Sequence, residues 1–193
     1  MATSLIDLRA DDPDSWQTVT LPGSNLPVRL RRLHADPETK ASVSLVRFPA
    51  GWRRPITGYY SAAEEFVVLD GAIEVIATHG PGEYVYLPPR TVRVNTNSPS
   101  GALVVAYFSQ APKWDEGTPA NPPSAEPVYG RPTGVMREST AEVRGGFRAV
   151  DYLPAEPLPT DSDILYLDEQ TWEWVPAGAV PSGRGPALVR SWA

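Results

Sequence analysis

Almost nothing in this chain reads as a long amphipathic helix. Its 22 prolines and 15 glycines in 193 residues cut it into short pieces. The pieces are alternating or apolar: VRLRRLH (28–34), ASVSLVRFP (41–49), EEFVVL (64–69), AIEVIAT (72–78), EYVYLP (83–88), TVRVNT (91–96) and ALVVAYF (102–108). Each is bounded by Gly, Pro, Asn or Asp, residues that turn a chain or cannot continue a sheet ladder. Short strands at this spacing point to an all-β antiparallel sandwich or barrel. Asp70-Gly71 is the strongest two-residue hairpin signal, and Pro-Gly at 81–82 and Asn-Ser-Pro-Ser-Gly at 97–101 mark further turns.

Composition narrows the chemistry. Apolar residues make up 41% of the chain and six are tryptophan, enough to build a core. A net charge of −6 without a clustered basic stripe argues against nucleic acid as the partner. No run reaches the length of a membrane span, and the acidic start MATSLIDLRADDPD lacks an apolar signal core, so a cytoplasmic location is expected. There is no cysteine, which excludes disulfides, thiolate metal sites and cysteine nucleophiles together. Only two histidines occur. His79 in a THGPGE turn and His34 at the end of an early run are both expected to be surface or structural residues.

Six prolines between Ala111 and Pro132 mark a semi-extended connector, 111–132, between a first domain, 1–110, and a second half, 133–193. The two halves echo each other in order. VRFPAG (46–51) is matched by VDYLPAE (150–156), FVVLDG (66–71) by LYLDE (165–169), EYVYLPP (83–89) by TWEWVPA (171–177), and GALVVAYF (101–108) by GPALVRSW (185–192). The second half reads as a shorter, degenerate duplicate that would pack on the first, since about sixty residues seldom bury enough surface alone.

Two motifs in the first half carry a resemblance. Gly51, five residues, Thr57-Gly58-Tyr59, four residues, Glu64, six residues and Gly71 keep the spacing G-x5-H-x-H-x4-E-x6-G. Gly82, five residues, Pro88-Pro89-Arg90, two residues, Arg93, three residues and Asn97 keep G-x5-P-x-G-x2-H-x3-N. The chain thereby resembles the cupin superfamily, in particular bicupin-like and ChrR-like, uncharacterised cupin-domain proteins. The resemblance implies a jelly-roll β-barrel with an interior pocket. Metal-binding cupins hold a divalent ion with three histidines and the glutamate. The three histidine positions here are Thr57, Tyr59 and Arg93, and Glu64 alone remains. Threonine and tyrosine are poor ligands for such ions and arginine stays cationic, so no metal and no other cofactor are expected. In the second half the positions of Arg93 and Glu64 fall near Pro181 and Ser162.

Period-2 alternation must send one of the adjacent pair Glu64 and Glu65 to the inner face, and the resemblance selects Glu64. Glu64 is then expected to act as general base or acid, Tyr59 as a second proton donor, and Arg93 to hold an enolate or carboxylate oxygen. Thr57, Trp52, Phe66, Tyr86, Asn95 and Tyr107 are the expected substrate wall. The competing reading makes Arg93 a plain counter-ion for a leftover carboxylate. Trp52, Arg53 and Arg54 either line the pocket mouth and grip an acidic substrate or form a solvated surface loop. Tyr84, Tyr86, Trp172 and Trp174 are either a binding wall or plain core. The function expected is metal-independent acid–base chemistry on a small organic molecule, of isomerase, cyclase or lyase type, in a biosynthetic or tailoring step. Such chemistry is what the resemblance to sugar epimerases and polyketide-type cyclases of this superfamily implies. The alternatives are a non-catalytic small-ligand binder or sensor, and a metal-dependent protein using Glu64 with other oxygen ligands. A homodimer formed through an exposed edge strand is also open.

Overall fold

The short apolar runs become strands. The computed structural model describes residues 5–192, and among them the only helical element is a 3-10 turn at Pro13–Ser15, capped by the Asp12 carboxylate accepting from the Asp14 amide at 3.2 Å. No helix among the described residues is long and apolar enough to cross a membrane. The chain forms two units, residues 12–131 and, in the other, residues 5–11 with 132–192.

The larger unit holds a seven-stranded antiparallel sheet. Its order is β14 (Val128–Gly130), β10 (Tyr84–Leu87), β7 (Glu64–Gly71), β12 (Ala102–Phe108), β4 (Ser42–Phe48), β3 (Val28–Ala35) and β2 (Gln17–Val19). A four-stranded sheet runs β5 (Trp52–Arg54), β11 (Thr96–Ser98), β8 (Ile73–Val75) and β9 (Ala77–His79), and a two-stranded one pairs β13 (Trp114–Glu116) with β6 (Gly58–Tyr60). One apolar cluster joins the first two sheets: Val46, Phe66, Val85, Val104 and Ala106 from one meet Trp52, Ile73 and Val75 from the other. Burying one face of each sheet against the other is the architecture of an antiparallel jelly roll.

The smaller unit has one six-stranded sheet in the order β1 (Ile6–Asp7), β18 (Thr171–Val175), β17 (Ser162–Tyr166), β19 (Ala187–Ser191), β16 (Phe147–Val150) and β15 (Val135–Arg137). Its central order, β18-β17-β19-β16, reproduces β10-β7-β12-β4 strand for strand, and these are the segments whose sequences echo. Register agrees as well. Glu64 opposes Leu87 and Phe108, and Ser162 opposes Val175 and Ser191, so Ser162 stands where Glu64 does.

Three expectations are corrected. The proline-rich stretch 111–132 is no bare connector: it supplies β13 and β14, which pair with β6 and β10. Both are three-residue strands at sheet margins, where proline neighbours cost no ladder bonds. Residues 5–11 do not join the first domain, because Ile6 and Asp7 pair with Trp172 and Thr171 as β1. Asp70-Gly71 is not a hairpin turn either. Both residues remain in register with β12, and the chain then crosses to β8 in the other sheet. Gly71 has φ +69°, and a Cβ there would lie 2.1 Å from the Gly101 carbonyl oxygen. The crossing therefore needs glycine on both conformational and steric grounds.

The smaller unit fills its interior with Leu153, Leu158, Ile164, Tyr166, Val175, Ala187 and Val189. Glu173 is fully buried beside them and accepts from the Tyr166 hydroxyl at 2.7 Å and from the Ser182 and Gly183 amides at 2.9 and 3.1 Å. Burial, reinforced by the Glu173 carboxylate, holds the Tyr166 hydroxyl above the ordinary tyrosine range. The folded state thus keeps Tyr166 protonated where the unfolded chain ionises it, so this contribution is complete below about pH 10 and declines as pH rises beyond it. Tyr166→Phe removes one donor from a buried carboxylate and is expected to cost about 1–3 kcal/mol at pH 7 by chemical denaturation. The variant's loss of stability between pH 9 and 11 is expected to be shallower than that of the unaltered chain; equal slopes would exclude Tyr166 as the group responsible.

Candidate functional site

A cavity of about 330 Å³ opens in the larger unit. Its wall is apolar over most of its extent, with Val46, Phe48, Trp52, Phe66, Ile73, Val104 and Phe108 contributing. The ionisable side chains on it are Arg32, Arg54, Tyr60, Glu64 and Arg93, and Gln17, Ser44 and Thr96 are also there. Arg32 is an exposed rim residue whose guanidinium pKa is lowered by partial burial.

The pleat of β7 separates its two acids. Glu64 faces the cavity, where its Oε2 lies 2.7 Å from Arg93 Nη1, with side chains 17% and 4% exposed respectively. Glu65 faces the other way and is also buried, accepting from the Tyr84 hydroxyl at 2.7 Å. Arg93 is set by the backbone as well as by its charge. Its amide and carbonyl form an antiparallel bridge with Gly58, at 2.8 and 3.1 Å. Its guanidinium carbon sits 4.5 Å from the Tyr60 ring centroid, a cation–π distance. Glu64 and Arg93, from distant motifs, form the ion pair on the cavity wall that the motif spacing leads one to expect.

The pair leaves the rest of the wall to be placed. Trp52 and Phe66 line the cavity as expected, but Thr57, Tyr59, Tyr86, Asn95 and Tyr107 do not. Tyr59 is replaced by Tyr60. Strand β6 takes its phase from β13, with Trp114 opposite Tyr60 and Asp115 opposite Tyr59, and this turns Tyr60 inward against Phe108 and Trp114. Thr57 lies just outside β6 and uses its carbonyl to accept from the Gly117 amide at 2.9 Å. Tyr86 and Tyr107 are each in register with Glu65, so the pleat carries them to the Glu65 face. Asn95 is exposed in a left-handed turn (φ +50°) that reverses the chain ahead of β11.

Of the arginine pair beside the motif, Arg53 is exposed and Arg54 is buried, because WRR is a strand and not a loop. Arg54 Nη2 donates to the Tyr60 hydroxyl at 3.1 Å, and its guanidinium carbon lies 4.1 Å from the Trp114 ring centroid. Trp114 can lie there because Gly58 has no side chain; a Cβ at that position would come within 2.3 Å of the indole. Tyr60, Arg54 and Trp114 are the wall residues the sequence pattern does not mark. Inward alternation counted back from Glu64 selects Tyr60 over Tyr59, whereas Trp114 sits in the proline-rich stretch and carries no such signal.

The donor set does not fit a divalent cation. Of the four positions at which the motif spacing would place metal ligands, Thr57 and Tyr59 are off the cavity and Arg93 places a guanidinium on the Glu64 carboxylate. Among the described residues no group of three or more His, Cys, Asp or Glu side chains comes together. His79 is a structural residue, buried between Phe66 and Tyr129 with Nε2 3.1 Å from the Val75 carbonyl oxygen.

No family model matches the chain and no curated protein matches it in sequence. Solved structures do. A candidate dioxygenase from Nostoc punctiforme aligns over 91% of this chain and 77% of its own, with a TM-score of 0.67 at 14% identity. The protein YlbA from E. coli aligns over 97% and 89%, with a TM-score of 0.60 at 12% identity. A mutant of the Bacillus subtilis oxalate decarboxylase OxdC aligns over 93% and 75%, with a TM-score of 0.50 at 9% identity. These are cupin-type structures, and at such identities the likeness shows the fold alone.

Removing one member of the Glu64–Arg93 pair strands the other. Glu64→Met is expected to cost about 3–5 kcal/mol in chemical denaturation. The double variant Glu64→Met/Arg93→Met is expected to recover most of that loss, as an apolar pair filling the same space; a purely additive double loss would show that the two charges are not coupled.

Proposed function

We propose that this chain, which has the cupin fold, is an enzyme that moves a proton beside the carbonyl of a small organic molecule, in a reaction of isomerase, cyclase or lyase type, without a bound metal. The observation that supports it is the 2.7 Å contact between Glu64 and Arg93 inside a largely apolar cavity of about 330 Å³. A carboxylate there is a base within reach of a bound C–H. A guanidinium beside it is a fixed positive charge for the oxygen on which negative charge develops as the proton leaves. Water-poor walls strengthen both effects, because the local dielectric is low and the groups are already oriented.

Each side chain has a defined task in this reading. Glu64 takes the proton from carbon and returns it to the same or a neighbouring atom. Arg93, steadied by the Tyr60 ring and by the Gly58 backbone bridge, holds the enolate oxygen. Tyr60 is the second proton donor in place of Tyr59. Its oxygen already accepts from Arg54, which leaves its own proton to give. Phe66, Trp52 and Phe108 keep the carbon skeleton between them. A second reading, a binding protein without turnover, draws on the ion pair that Glu64 and Arg93 already form without a ligand.

Proton transfer leaves an isotopic mark that can be read whatever the final product is. Incubated in deuterium oxide with a panel of small ketones and keto acids, the protein is expected to catalyse exchange at carbon in at least one, read by NMR. Glu64→Gln is expected to lower that rate at least a hundredfold while leaving ligand affinity within a few fold. Exchange that persists in Glu64→Gln, or that disappears on chelation and returns with added divalent metal, would sink the proposal. Binding without exchange across the panel would favour the second reading.

A further inference from the structure

The hydrogen-bonding state of the cavity wall is one-sided. Four buried N–H groups on its lining residues have no hydrogen-bond partner: Trp52 Nε1, Arg54 Nε, Arg93 Nε and Trp114 Nε1. No buried side-chain acceptor on that wall is in the same condition among the described residues. Buried polar groups are almost always paired. Donors predominate among the unpaired buried groups elsewhere too, Trp16 Nε1, Arg31 Nη1 and Trp172 Nε1 among them, so what sets this wall apart is that four of them belong to residues around one cavity.

Charge points the same way. Three arginines line the cavity, Arg32, Arg54 and Arg93, against one acid, Glu64, in a protein whose net charge is −6. Glu64 is engaged by Arg93. Asp115, one residue beyond Trp114, is engaged by Lys113 at 3.1 Å. Arg54 is left buried, 3% exposed, with no carboxylate within ion-pair distance among the described residues. The groups around its guanidinium are neutral: the Tyr60 hydroxyl and the rings of Trp114, Tyr60 and Trp52 at 4.1, 5.5 and 5.8 Å. Aromatic faces offset part of the desolvation of a cation but provide no in-plane acceptor.

We infer that Arg54 is the anchor for a carboxylate of the substrate. The substrate class is then a small monocarboxylic acid with an apolar body. A guanidinium offers two parallel N–H bonds that match a planar carboxylate. One such anchor, with the Glu64 charge in the same cavity, suits a singly charged group better than a phosphate. The Tyr60 ring lies within 5.5 Å of both the Arg54 and the Arg93 guanidinium carbons. A ligand held by its carboxylate at Arg54 lies in the same cavity as Glu64 and Arg93.

The inference rests on reading the cavity as a small-molecule site, but not on turnover, and its test is binding alone. Isothermal titration of the full chain compares 3-phenylpropanoate with 3-phenylpropanamide, which share shape and differ in charge. The acid is expected to bind at least tenfold more tightly than the amide. Arg54→Met is expected to abolish that preference while still binding the amide. Glu64→Gln, which removes a negative charge from the cavity, is expected to keep or raise it. Equal binding of acid and amide to the unaltered chain overturns the inference, as does no binding of the acid, or a preference that survives Arg54→Met. If Arg54→Met does not fold, the acid-to-amide ratio of the unaltered chain decides the matter. A chain that discriminates acid from amide yet catalyses no exchange retains the carboxylate anchor and loses the proton-transfer reading.

Discussion

The pleat of β7 is the constraint on which the site depends. A strand surrounded by neighbours and buried on both faces must find a partner for every polar group it carries inward, whichever face that is. β7 opens with two carboxylates, and the sheet provides separately for each. Glu64 meets Arg93 on the cavity side, and Glu65 meets the Tyr84 hydroxyl on the reverse. A one-residue slip would bring one acid to the other's place, strand the second among groups that do not answer it, and turn Phe66 away from the cavity. The register of the central strand is therefore fixed by the apolar residues that follow the acids as much as by the acids themselves. With register fixed, Phe66 must face the cavity, and Tyr86 and Tyr107 must lie behind it.

Much of this is legible in the sequence, and what is not has a common cause. The all-β class, the strand runs and the paired motifs depend on spacing within a few residues, which a sequence displays directly. The echo between halves survives as identical central strand order because each echoed segment is one strand. Glu64 with Arg93 is accessible because two spaced motifs point at one place. The failures, by contrast, are matters of which neighbour a segment pairs with. Tyr60 displaces Tyr59 through pairing with Trp114, which lies more than fifty residues away in a stretch that composition marks as a linker. Asp70-Gly71 carries the local chemistry of a hairpin. A carbonyl from Gly101 lies against Gly71 and the following strand belongs to another sheet, so tertiary contact overrides the turn. Ile6 and Asp7 find β18 at the far end of the sequence. Local pattern carries no information about such partners.

The two halves also place their buried acids differently on the same strand order. Ser162 holds the register position of Glu64, and no acid replaces it there. The smaller unit instead brings its inner carboxylate from β18, as Glu173, and surrounds it with the Tyr166 hydroxyl and two backbone amides. Gly183 packs so closely on the Tyr166 ring that no larger residue fits. Every part of that network is satisfied from within, so Glu173 is a structural acid. A cavity of about 370 Å³ does exist in this unit, lined by Ser162, Val189 and Arg137. Arg137 Nη1 is saturated by the carbonyls of Glu138, Val143 and Gly145. Its polar groups are spoken for, whereas those around Arg54 are not.

Arg93 gives the larger cavity its character. Its guanidinium is a positive charge that belongs to the protein and cannot leave, and it engages the Glu64 carboxylate. The charge also sits on a side chain held by the Tyr60 ring and by a backbone bridge to Gly58, so its direction is set before any ligand arrives. A fixed cation repels a second cation and attracts an anion. That second consequence extends to the neighbouring wall, where Arg54 adds another buried positive charge without a carboxylate of its own. Glu64 offsets the burial of Arg93, and on the carboxylate-anchor reading an acceptor-rich guest would offset that of Arg54 and so select what the cavity binds.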